Sequence, residues 1–70
     1  MNIIYSKHSK KRMKERGISE SDILECLNMP DYTVSVNEFV ESYRKINNGV
    51  IKVVSIRKDS FIKVISVMWK

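Results

Sequence analysis

Residues 50–69 read VIKVVSIRKDSFIKVISVMW. Two runs rich in β-branched and aromatic residues flank Lys58-Asp59-Ser60, a polar triplet suited to a tight turn. This pattern predicts strands over 50–57 and 61–69 paired as a hairpin. Side chains alternate across a strand, so Ile51, Val53 and Ser55 share one face while Val50, Val54 and Ile56 share the other. In the second run Ile62, Val64, Ser66 and Met68 oppose Phe61, Ile65, Val67 and Trp69. Both faces are therefore apolar. Helices on one side cover only one of them, which leaves two expectations for the other: a homodimer or partner protein covers it, or a curled sheet leaves it partly exposed.

Toward the N-terminus the strand pattern continues. Asn47-Asn48-Gly49 is a hairpin signal, because Asn and Gly tolerate positive φ. Before it, Phe39 to Ile46 reads as a strand. The turn Asn37-Glu38 leads back to another, Tyr32 to Val36. Four sequential strands joined by short turns predict an antiparallel meander.

The first thirty residues differ in character. Asn2 to Tyr5 is a short apolar run able to add an edge strand. Ser6 is a candidate N-cap, Lys7 to Arg16 lacks Gly, Pro and β-branched residues, and Gly17 suits the left-handed position that ends a helix. Ser19-Glu20-Ser21-Asp22 resembles a capping box with Asp in place of Glu. Ile23, Leu24 and Leu27 then fall on one helical face, and Pro30 stops the helix. The expected fold class is α+β: one domain over residues 1–70, with two N-terminal helices packed on a four-stranded antiparallel meander.

The chain has 70 residues, of which 43% are hydrophobic and 30% charged. That composition supports one small core and argues against global disorder. The lone Cys26 cannot form an internal disulfide, and with the lone His8 it cannot complete a structural zinc site. No secretory signal, membrane-length apolar segment, Gly-rich phosphate loop or dinucleotide fingerprint is present. The expected setting is cytoplasmic and reduced, with no membrane association, no cofactor and no metal.

Net charge is +5, distributed in blocks. Lys7, Lys10, Lys11, Arg12, Lys14 and Arg16 face only Glu15. Glu20, Asp22, Glu25, Asp31, Glu38 and Glu41 then run without a base, and the remainder is basic again. A concentrated cationic helix is the electrostatic footprint of a phosphate-backbone binder, although the same charges can also form a solvated face.

The first helix lacks an apolar stripe. Its only large hydrophobe is Met13, while His8, Arg12 and Arg16 share one side at four-residue spacing. Docking through that side buries them against acids, carbonyls or phosphates; docking through Met13 and the alkyl stems leaves them rimming a surface. RNA cleavage without a metal needs a base for the 2′-OH, an acid for the leaving 5′ oxygen, and cations for the charge on phosphorus. His8 suits the proton transfers, and Arg12, Arg16, Arg44 and Lys45 suit the cationic role. Tyr43 is a candidate proton donor or base-stacking group, or simply packs. Ser66 interrupts an apolar run and either faces a cleft or bonds a neighbour. Cys26, beside Leu27, is expected to be buried and inert. Against the catalytic reading stands a structural one, with Arg12 and Arg16 paired to the acidic middle segment.

Several pieces occur in an order that resembles a known family: Ser6-Lys7-His8, Arg12-Met13, Arg16-Gly17-Ile18-Ser19, Asp22-Ile23, Leu27-Asn28, Pro30-Asp31, Tyr43-Arg44-Lys45 and Val64-Ile65-Ser66-Val67. Together they are similar to domain-of-unknown-function family 4258, a small prokaryotic family that looks related to RelE- and BrnT-like toxins; members often carry Thr at the position of Ser66. The resemblance implies helices packed on an antiparallel sheet and a metal-independent endoribonuclease. Its RNA target would be free or ribosome-bound, and an antitoxin protein would neutralise it. It carries the catalytic expectation onto His8, Arg16, Tyr43, Lys45 and Ser66. Nucleic-acid binding falls to Lys7, Lys10, Lys11, Arg12, Lys14 and Arg44. The alternative is a binding module without catalysis, for nucleic acid or a protein partner, dimerising through its sheet.

Overall fold

The computed structural model of the chain describes residues 2–47 and 49–70. In chain order the elements are β1 (Asn2–Tyr5), α1 (Lys7–Arg16), α2 (Glu20–Asn28), β2 (Tyr32–Val36), β3 (Phe39–Ile46), β4 (Gly49–Arg57) and β5 (Phe61–Trp69). The strands form a single sheet in the order β1-β5-β4-β3-β2.

Local signals set the helix ends. Ser6 Oγ accepts the Ser9 N–H at 3.0 Å, and Gly17 adopts φ 64° with its N–H on the Met13 carbonyl, so each end of α1 has a cap. At α2 the capping box forms in full. Ser19 Oγ accepts the Asp22 N–H and Asp22 Oδ2 accepts the Ser19 N–H, both at 3.1 Å. Asn37 has φ 56° in a two-residue turn that pairs Val36 with Phe39. Of the turn expected at Asn47-Asn48-Gly49, Asn47 has φ 55° and Asn48 lies outside the described residues.

The sheet is five-stranded and mixed rather than a four-stranded antiparallel meander. Strands β2 to β5 pair antiparallel in sequence, but β1 joins parallel to β5, matching Asn2 with Phe61 and Tyr5 with Val64. A four-residue apolar run cannot leave its backbone unpaired beside the core. After the helices the chain returns to place β5 next to it.

The face assignment of β5 also needs correction. Val54 pairs with Ser66 but Ser55 pairs with Val64, so Ile65 is an extra residue in β5. This bulge resets the alternation. Ile62, Val64 and Val67 all join the core, whereas strict alternation would place Val67 opposite the other two. The cross-strand rows explain why the shift is favoured: Ser42, Val53 and Val67 align on the helix side, and each is fully buried.

The core packs Ile18, Ile23, Cys26 and Leu27 against Ile46, Ile51, Val53, Ile62, Val64 and Val67. On the opposite face Phe39, Val54, Ile56, Phe61 and Met68 are only half-buried, and Ile4, Tyr32, Val34 and Val36 are exposed. Helices thus cover one face and the other stays open.

Gly49 does not need a positive φ; it needs the absence of a side chain. A Cβ there would stand 2.9 Å from Trp69 Cε3, and the indole N–H donates to the Arg16 carbonyl at 2.7 Å. Gly49→Ala is expected to displace the indole and lower stability by about 1–3 kcal/mol, the usual scale of overpacking. Urea denaturation followed by Trp fluorescence checks this, with an altered native-state emission as the second sign.

Candidate functional site: the cationic helix and the open sheet face

Helix α1 docks through Ser9, which is fully buried, and through Met13, which packs on the core. These positions are four apart and share a face. Ser9 Oγ donates to the Ser6 carbonyl at 2.8 Å, so its hydroxyl is satisfied in the interface. Of the two docking modes open to the sequence, α1 takes the one through Met13. Its lysines and its histidine point outward: Lys7, His8, Lys10, Lys11 and Lys14 are all exposed, and none of them makes an ion pair among the described residues.

The three candidate arginines, Arg12, Arg16 and Arg44, have other partners. Arg12 Nη1 pairs with Glu15 Oε1 at 2.6 Å, and that guanidinium holds the Glu15 carboxyl below its ordinary value. Arg16 Nη1 donates to the Val67 carbonyl at 2.8 Å. Neither is buried against the acidic middle segment. Arg44 makes that pairing instead: Nε meets Glu25 Oε2 at 3.1 Å, and Nη1 meets the Met29 carbonyl at 2.9 Å and Asp31 Oδ1 at 3.5 Å. Arg44 thereby ties α2 and its following turn to β3.

Tyr43, Lys45 and Ser66 register on the open face. Tyr43 stands in the row with Lys52 and Met68, Lys45 pairs with Val50, and Ser66 sits in the row of Glu41 and Val54. Lys45 is exposed, and its backbone N–H donates to Asp31 Oδ2 at 2.8 Å. The expected catalytic set is thus divided between two layers: His8 and Arg16 belong to α1, which packs on the covered side, while Tyr43, Lys45 and Ser66 belong to the uncovered side. No enclosed pocket forms among the described residues, and no group of metal-ligating side chains gathers there.

The open face holds a cluster that the sequence reading passed over. Tyr32 stacks on Tyr43 with ring centroids 4.5 Å apart. Lys70 Nζ lies 5.5 Å from the Tyr32 centroid and 5.2 Å from that of Tyr43, and it donates to Tyr32 Oη at 2.8 Å. That bond raises the Lys70 pKa above its ordinary value. Glu41 accepts from Tyr43 Oη at 3.1 Å and from Lys52 Nζ at 3.3 Å, and its bond raises the Lys52 pKa. A signal for the stack existed: a two-residue turn at Asn37-Glu38 reflects Tyr32 onto Tyr43.

Cys26 is fully buried, and its Sγ contacts the Ser42 carbonyl at 3.3 Å. Burial pushes the thiol up from 9.0 to about 11, with Asp31 adding to the shift. It is a packed thiol rather than a nucleophile.

Two outcomes follow. Arg16→Ala is expected to cost about 1–2 kcal/mol, since it removes a charged hydrogen bond to a strand carbonyl. Arg12→Ala, which breaks only an exposed pair, should cost about 0.5 kcal/mol or less; parallel urea titrations compare them. For Cys26 the folded pKa lies above the unfolded one, so its contribution is present below pH 9.0 and is lost as pH rises toward about 11. Across that window wild type should lose roughly 2 kcal/mol more stability than Cys26→Ala, measured by denaturation at stepped pH.

No curated protein and no solved structure matches the chain. Residues 5–69 match the family described as Domain of unknown function (DUF4258). The match takes in both helices, four whole strands and the end of β1, and the chain belongs to that family.

Proposed function

We propose that this protein is an RNA-binding, toxin-like domain that engages RNA phosphates through the exposed side of α1. The observation that carries the reading is the outward row of Lys7, His8, Lys10, Lys11 and Lys14, all exposed and none in an ion pair among the described residues. The ammonium groups of the four lysines, held along one helix, attract a phosphate backbone and release its counterions on contact. Arg12 stands beside this row with a weak surface pair that a phosphate can displace. A relationship to RelE- and BrnT-like toxins is the finer form of the proposal, resting on the ordered motifs from Ser6 to Val67. It brings with it an antitoxin partner and a cytoplasmic setting.

Metal-independent cleavage is the second reading, favoured by the exposure of His8 one helical turn from Lys11 and Arg12. In that reading His8 handles the proton of the 2′-OH or of the leaving oxygen, and Lys11 and Arg12 stabilise the charge on phosphorus. Arg16 and Arg44 serve the fold in this account. Tyr43, Lys45 and Ser66 take part only where RNA also reaches the open face of the sheet.

Fluorescence anisotropy with a labelled single-stranded RNA tests the binding. Affinity should fall steeply with salt, with a slope near −3 in log K against log salt for about four phosphate contacts. Replacing Lys7, Lys10, Lys11 and Lys14 with Gln should flatten that slope and weaken binding by at least about tenfold. A salt-independent affinity, or full affinity in the quadruple variant, sinks the proposal. The cleavage reading requires that wild type cut the RNA and that His8→Ala cut it at least about a hundredfold more slowly.

A further inference from the structure

Strand β2 ends the sheet, and its outer edge has no neighbour among the described residues. Every residue from Tyr32 to Val36 is exposed. The helices pack on β3, β4 and β5, away from this edge. Edge strands are ordinarily blunted by charge, proline, a bulge or a covering segment, because their unpaired N–H and C=O groups recruit another strand. The sequence YTVSV carries no charge and no proline, and β2 pairs with β3 in unbroken register.

The direction of its backbone groups follows from β3. The Lys45 N–H turns toward the β2 side, where it bonds Asp31 Oδ2. By alternation the N–H groups of Tyr43, Glu41 and Phe39 turn the same way, onto their partners Tyr32, Val34 and Val36. The N–H and C=O of Thr33 and Ser35 therefore face outward.

We propose that β2 is a self-pairing edge: two copies of this chain join β2 to β2 antiparallel, about a two-fold axis through Val34, into one continuous sheet. The strand is matched to its own reverse. Pairing about Val34 sets Tyr32 against Val36 and Thr33 against Ser35, so the apolar side chains of both copies share the open face and the hydroxyls share the other. An aromatic residue opposite a β-branched one is a favourable cross-strand pair. The charges flanking the strand are also complementary under the same axis. Lys70 lies on the Tyr32 ring at one end, and exposed Glu38 follows Val36 at the other. The two-fold brings Lys70 of each copy toward Glu38 of the second, twice over. An isologous contact of this kind closes at two copies. This interface goes beyond the RNA proposal and lies on a different part of the surface from α1.

Sedimentation equilibrium on the full chain is the test, with circular dichroism as the control for folding. Wild type is expected to be a dimer. Val34→Lys and Val34→Glu each place like charges opposite one another at the axis, and each should be a folded monomer, with dissociation raised at least about a hundredfold. An equimolar mixture of the two variants sets an ammonium against a carboxylate across the axis and should recover the dimer. Thr33→Pro, which removes an outward N–H and leaves the β2–β3 bonds intact, should also be monomeric. A monomeric wild type at the highest attainable concentration overturns the proposal. So does a dimer that survives in both charge variants, or a mixture that stays monomeric.

Discussion

The extra residue in β5 is the constraint on which the rest of the packing depends. With Ile65 inserted, Val64 and Val67 both face the helices, and the strand bends at that point. The bulge also coincides with the end of β1, which pairs only as far as Val64. Beyond it the carbonyls of β5 on that side have no strand partner among the described residues, and α1 with its N-cap supplies donors to two of them. Ser6 Oγ donates to the Ile65 carbonyl at 3.1 Å, and Arg16 donates to the Val67 carbonyl at 2.8 Å. In return Trp69 donates its indole N–H to the Arg16 carbonyl. The helix therefore serves as a substitute edge strand, pinned at both ends.

That role accounts for the composition of α1. A helix held at its termini by polar bonds needs little apolar surface between them, and Ser9 with Met13 is enough. The remaining side chains are free of packing duty, so lysine can occupy them at no cost to the core. Structure and proposed function meet here: the fold needs Ser6, Ser9, Met13 and Arg16, and RNA binding would draw on the lysines. His8 lies on the exposed side of that division.

Much of this was legible along the chain. The strands were set by runs of β-branched residues bounded by polar turns, and the helix limits by Ser6, Gly17, Ser19 and Pro30. These are local signals, in which a few neighbouring residues decide the backbone conformation. The division of the expected catalytic residues was not legible. Tyr43, Lys45 and Ser66 could be placed on strands, but which face they occupy relative to α1 depends on where the helices dock. For Arg16 and Arg44, sequence showed two cations and an acidic segment; only packing decided that Arg44 takes the acids and Arg16 a strand carbonyl.

The sequence by itself determined that this is an α+β chain with a cationic, capped first helix and strands apolar on both faces. Those properties depend on spacing and composition within a few residues. Tertiary structure alone decided that β1 runs parallel to β5, that Ile65 is a bulge and that Gly49 makes room for an indole. It also decided that β2 has an open edge among the described residues. Each of these arises from contacts between segments far apart in the chain. There the choice rests on which arrangement satisfies the backbone groups and fills the core, and no local window of sequence records that comparison.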